Sequence, residues 1–133
     1  MTLFIDAAVV KGVGRSFGVS VNHRNETDTD FEPLDLSPYA IRFRVLGGSE
    51  ADSKVLVEHI ITQYSDEDVD GNITNPENGQ FTFTITTQDT EVLGIGKRPI
   101  TIELLDVDTL EYVDTLTEGG ETGEFNKIYI VQV

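Results

Sequence analysis

Glu77-Asn78-Gly79-Gln80-Phe81-Thr82-Phe83-Thr84-Ile85-Thr86 decides the fold class. Phe81, Phe83 and Ile85 alternate with threonines, the period-two pattern of a strand with one face in a core. Asn78-Gly79 ahead of it is a turn signal. The same alternation recurs in both directions along the chain. Phe17, Val19 and Val21 alternate with Ser16, Gly18, Ser20 and Asn22. Ile41, Phe43 and Val45 alternate with Arg42 and Arg44, and Ile100, Ile102 and Leu104 with Thr101 and Glu103. A one-residue slip in any of these would turn its apolar set to water, so register is strongly specified.

Three segments carry a weaker pattern. Val55 to Tyr64 is apolar on both parities, and its β-branched Val55, Val57, Ile60, Ile61 and Thr62 favour strand over helix. Leu110 to Leu116 reads as a weak strand, hairpinned to the one before it across Asp106 to Thr109. Ile128 to Val133 is apolar on both faces, which places it centrally or under a partner. Gly47-Gly48-Ser49 and Glu118-Gly119-Gly120-Glu121 mark turns, and Asn22 to Pro38 reads as a long acidic loop. Thr87 to Leu93 fits a short helical turn stopped by Gly94. The expectation is all-β: about seven or eight short strands closing into a sandwich or barrel, one domain over residues 1–133.

Composition narrows function. There are 24 acidic residues against nine Lys and Arg, for a formal net charge of -15. Phosphate backbones and anionic lipid surfaces need clustered bases, so neither nucleic acid nor membrane is an expected partner. There is no cysteine, which rules out disulfides and CxxC sites. Met1 to Asp6 has no basic start and its apolar run is broken by Asp6, so no secretory signal is read there. No stretch approaches the roughly 18 apolar residues of a membrane span.

One stretch matches a metal motif. Asp66-Glu67-Asp68-Val69-Asp70-Gly71-Asn72-Ile73-Thr74-Asn75-Pro76-Glu77 satisfies the calcium-loop pattern of alternating oxygen ligands, a central glycine and a closing glutamate. Calcium takes six to eight oxygens, and in this scheme Asp66, Asp68, Asp70, the Asn72 carbonyl and Glu77 supply them. The competing reading is a solvated acidic turn in which Asp70-Gly71 makes the bend, because Glu77 leads into a strand rather than a helix. No cofactor is otherwise expected.

Catalysis has little to stand on. His23 and His59 are the only histidines, and no nucleophile elbow or paired-histidine zinc motif accompanies them. His23 reads as a loop residue and His59 as a hydrogen-bonded structural histidine in a strand. Gly12-Val13-Gly14 lacks the third glycine and the helix of a dinucleotide loop. Asn25-Glu26-Thr27 and Asn72-Ile73-Thr74 match the glycosylation sequon, which carries no weight without a secretion signal. Tyr64, Tyr112 and Tyr129 are candidate exposed rings for a sugar or protein surface, though the chain has no Trp. The chain is read as a non-enzyme.

Leu34-Asp35-Leu36-Ser37-Pro38-Tyr39-Ala40-Ile41-Arg42-Phe43-Arg44-Val45 resembles a strand-entry stretch of small phage-tail β-sandwich domains, similar to the N-terminal domain of the baseplate upper protein family. Asn78 to Thr86, Gln88 to Leu93, Ile100 to Asp106 and Gly123 to Val131 resemble later strands and a helical turn of those domains. The likeness spans roughly residues 9 to 131, with Pro38 where glycine is common and a longer Glu50 to Pro76 region. It implies an all-β immunoglobulin-like β-sandwich of about seven or eight short strands, and a non-enzymatic structural protein of a bacteriophage particle: a small tail, baseplate or neck adaptor subunit, found in the virion after assembly in the host cytoplasm. Its partners would be other virion structural proteins, in a homo-oligomer within a larger assembly. Capsid decoration and a calcium-dependent binding or adhesion module are the alternatives. Thr2 to Val10, Asn25 to Pro33 and Ile128 to Val133 are the expected contact segments, because apolar or two-faced strands need a cover.

Overall fold

The structure is a computed structural model that describes residues 5–24, 31–47, 54–117 and 126–132. Among these residues, eleven strands and one α-helix follow in order: β1 (Asp6–Val10), β2 (Arg15–Ser20), β3 (Asn22–Arg24), β4 (Phe31–Pro33), β5 (Tyr39–Gly47), β6 (Lys54–Ile61), β7 (Gly71–Asn75), β8 (Gln80–Ile85), α1 (Thr87–Leu93), β9 (Gly96–Asp106), β10 (Tyr112–Thr115) and β11 (Lys127–Val131). The larger sheet has the order β1-β11-β9-β5-β6, with β10 also paired to β9. The smaller has the order β2-β8-β7, and β3 and β4 form a separate hairpin. The chain is therefore all-β, with two sheets sharing one core.

The alternating segments sit where their periodicity puts them. Ile41, Phe43 and Val45 of β5 and Ile100, Ile102 and Leu104 of β9 are buried, as are Phe81, Phe83 and Ile85 of β8. The sheets meet ring to ring. Phe43 of the larger sheet stacks on Phe83 of the smaller at 4.5 Å between centroids, and Phe83 stacks on Phe17 of β2 at 4.8 Å. Such pairs add to the area term that drives burial.

On the opposite face of the larger sheet, charge pins the register. Arg42 faces Glu103 across β5–β9 with a 2.8 Å ion pair, and Arg44 faces Glu58 across β5–β6 at 2.8 Å. Arg44 also approaches Glu103 at 3.7 Å. Oppositely charged cross-strand partners stabilise a sheet modestly and penalise a slip.

β9 is the organising strand. One side pairs along its second half with β5, while the other is shared end to end by β11 (Gly96 to Pro99) and β10 (Glu103 to Leu105). β11 lies between β9 and β1, and runs parallel to β1 from Asp6↔Lys127 to Val10↔Val131. Ile128 and Ile130 are buried while Tyr129 is half open to solvent, so β11 is central in the sheet and its second face is only partly covered.

Two readings change. Asn22 to Pro38 is not a plain loop, because Asn22 pairs with Pro33 and His23 with Glu32 in the β3–β4 hairpin. The ambiguous Val55 to Tyr64 segment resolves as a strand that ends at Ile61, with Val57, His59 and Ile61 facing inward. The extra short strands raise the count above the seven or eight read from periodicity, since three-residue pairings carry too few alternations to register. Thr2 to Phe4, Asn25 to Asp30 and Val133 of the expected contact segments lie outside the described residues. So do Gly48 and Ser49, the Glu118 to Glu121 turn, and Gly123 to Phe125.

Candidate functional site

The aromatic column ends on a histidine. His59 of β6 lies directly across from Phe43 of β5, and their rings are nearly parallel at 6.4 Å. An imidazole on the interior face of a sheet must have its nitrogens satisfied. Two carboxylates do this: His59 Nδ1 lies 2.6 Å from Asp70 Oδ1, and Nε2 lies 2.8 Å from Asp89 Oδ2. Carboxylates only accept, so the protonated ring, with a donor on each nitrogen, is the form that makes both bonds at once.

Local sequence positions each carboxylate. Thr86 caps α1: its side chain accepts from the Asp89 backbone N–H at 3.0 Å, and Asp89 Oδ2 accepts from the Thr86 N–H at 2.9 Å. This capping box fixes the first turn of the helix and points Asp89 back toward β6. Asp70 closes a turn in which the Asp66 carbonyl accepts from the backbone N–H groups of Val69, Asp70 and Gly71. Gly71 follows at φ +106°, where a Cβ would collide with the Thr82 carbonyl oxygen of β8, so only glycine lets β7 begin here. Thr84 ties the turn to β8, its hydroxyl donating to the Glu67 carbonyl at 2.6 Å and its N–H to the Asp70 carbonyl at 3.2 Å.

Charge in this cluster is balanced by opposing effects. Burial is the strongest single influence on His59 and pushes its pKa down. The hydrogen bonds and charges of Asp89 and Asp70 together outweigh it and hold the pKa above its ordinary 6.5. Burial likewise pushes Asp89 up, yet the His59 hydrogen bond, the Thr86 N–H and the imidazolium charge hold it below its ordinary 3.8. With both nitrogens protonated, the ring must lose a proton before it can act as a base or ligate a metal. What the arrangement does is join β6, the entry to β7 and the start of α1.

The calcium scheme distributes differently in space. Asp66 Oδ1 accepts from the Asp68 N–H at 2.9 Å, and Asp70 turns to His59. Asn72 is in β7, where its carbonyl faces the Thr82 hydroxyl and its side-chain amide donates to the Gln63 and Ser65 carbonyls at 2.9 Å each. Glu77 is exposed on a single 3-10 turn, Pro76–Asn78, beyond that strand. The segment that the motif reads as one loop is therefore a turn, a strand and a second turn. Among the described residues, no group of three or more His, Asp or Glu side chains is placed to hold a metal ion.

The remaining candidates are spread out. His23 is on β3, in the separate β3–β4 hairpin. Tyr64 is almost fully exposed in the turn after β6. Tyr112 and Tyr129 pair with Leu105 and Lys97, eight positions apart along β9, or about 26 Å. The three rings form no common platform. Asp89 as the partner of His59 was missed. Thr86 three residues before Asp89 is a capping signal visible in sequence, but the reach to His59 is a tertiary fact.

No protein-family model matches the chain, and no curated protein matches it.

Proposed function

We propose that this chain is a non-enzymatic structural subunit that acts by protein–protein assembly, and that its setting is a bacteriophage particle, as a small tail, baseplate or neck adaptor of immunoglobulin-like type. The observation that carries the assembly reading is where the exposed apolar side chains lie. Val107, Leu110, Tyr112 and Val113 gather at the β9–β10 hairpin, and Val55 and Leu56 lie on β6, so large apolar groups mark two sheet edges. Edge strands with exposed apolar residues are natural sites for another chain to add to the sheet. The His59, Asp70 and Asp89 cluster is saturated by its own partners and serves the fold. The resemblance of Leu34 to Val45 and of Asn78 to Thr86 to phage-tail sandwich domains supplies the particle.

Antibody-gold electron microscopy of phage particles recovered with the protein tests this. Gold at the tail, baseplate or neck supports the reading, and gold over the capsid surface moves the subunit to a decoration role. Unlabelled particles, with the protein free in the lysate, reject it.

A further inference from the structure

The β10 edge of the larger sheet has a composition that selects its partner. β10 pairs on one side with β9, and among the described residues no strand pairs with its other side. Natural edges are blunted by bulges and charge, and β10 has both: a register shift between Tyr112 and Asp114, and acids around it. Blunting alone does not account for Val107, Leu110, Tyr112 and Val113, all between 37% and 56% exposed within one hairpin. Leu110 also sits at φ +59°, the one non-glycine residue with positive φ among those described. A branched side chain there costs about 1 kcal/mol or more. The hairpin thus retains apolar groups and a strained backbone that a merely protected edge does not need.

Charge says what this edge accepts. Between Pro99 and Thr117 there are five acidic residues and no Lys or Arg. Glu103 is neutralised by Arg42 and Arg44. Asp106, Asp108, Glu111 and Asp114 have no ion-pair partner among the described residues. Arg98, the nearest base on β9 outside that stretch, is seven positions from Leu105, roughly 23 Å along the strand. A second copy of this chain would bring the same acids to the same edge and be repelled.

We infer that β10 is a docking edge for an extended segment of a partner protein in which Lys or Arg alternates with apolar residues, added as a further strand. The apolar positions meet Tyr112 and Val113, and the bases meet Asp108, Glu111 and Asp114. This rests on the assembly reading above and names the surface and chemistry of the contact. β10 is four residues long, so each contact is weak and many copies act together.

The test uses the full chain, isotope-labelled, titrated with a peptide alternating Lys with Val. Controls are a Glu–Val counterpart and a peptide of the same Lys–Val composition without alternation. The expected result is saturable backbone amide shifts concentrated between Val107 and Thr115, with the alternating Lys peptide alone. The double variant Asp108→Lys with Glu111→Lys, both exposed, binds that peptide roughly tenfold more weakly and takes up the Glu peptide. Shifts centred elsewhere, equal response to the scrambled or acidic peptide, or no shifts at all overturn the inference. Self-association through the same amides overturns it in favour of a second copy. Gold-labelled particles with a silent β10 edge reject this inference and leave the assembly reading standing. A responsive edge with unlabelled particles rejects the phage setting and keeps the edge.

Discussion

Asp89→Ala removes two things at once, and their sum is large enough to measure. The first is the capping box of α1, where loss of such a cap costs about 1 kcal/mol. The second is one of the two carboxylates on a His59 side chain only 10% exposed, and a hydrogen bond to a charged group contributes about 2 kcal/mol. Together these predict a loss of about 3 kcal/mol. A 133-residue chain unfolds with an entropy of about 0.28 kcal/mol/K, so the melting temperature falls by about 10 °C. The loss also depends on pH. The His59 pKa is raised on folding, so its contribution is full below 6.5 and fades as pH rises through the folded value. The Asp89 pKa is lowered, so its contribution is full above 3.8 and fades as pH falls through the folded value. The ionic part of the Asp89→Ala penalty is therefore greatest between 3.8 and 6.5 and shrinks on the alkaline side, leaving the cap. Urea denaturation of both proteins at matched pH values on either side of 6.5 measures this. Asp89→Asn, which keeps an oxygen for Thr86, loses the pH-dependent part and retains most of the rest. A penalty under about 1 kcal/mol, or one unchanged across the His59 titration, refutes the account of a charged histidine held by two carboxylates.

Other perturbations separate packing from backbone effects. Phe83→Ala removes a fully buried ring stacked on both Phe17 and Phe43, and calorimetry should show a loss of about 3–5 kcal/mol. Gly71→Ala forces a Cβ against the Thr82 carbonyl at φ +106°, so about 3 kcal/mol is expected, with amide exchange accelerated first in β7. Leu110→Asn keeps the left-handed backbone with a residue that tolerates it and should raise stability by about 1 kcal/mol in denaturant titrations. Glu103→Gln weakens a network on the outer sheet face where Arg42 is partly solvated, and thermal melts should show about 1 kcal/mol or less, shrinking with added salt.

How far the fold could be read depended on how local each determinant is. Phe81, Phe83 and Ile85 announce a strand because every second residue repeats the same instruction. Thr87 to Leu93 is readable as a helical turn because Gly94 stops it and its N–H returns to the Thr90 carbonyl. The β9–β10 hairpin followed from its turn residues, Asp106 to Thr109, with Asp106 accepting from the N–H groups of Asp108 and Thr109. β7 was hidden because Asn72 and Asn75 have low strand propensity, and their pairing is imposed by Thr82 and Gln80 of β8. The same tertiary override separated the acids of the calcium motif. His59 reads locally as a hydrogen-bonded strand histidine, and it is one. Its partners lie 11 and 30 residues away, a distance no short pattern spans.

The parallel pairing of β1 with β11 has a mechanical consequence. Because the strands run the same way, the start of β1 at Asp6 and the end of β11 at Val131 are at opposite ends of the pair. Tension applied between those two points loads the strands along their length, in shear. The five register positions from Asp6↔Lys127 to Val10↔Val131 must then yield together rather than open one at a time. A peeling geometry would let each ladder bond fail alone at low force. A chain held through these two strands would transmit pull as a stiff link.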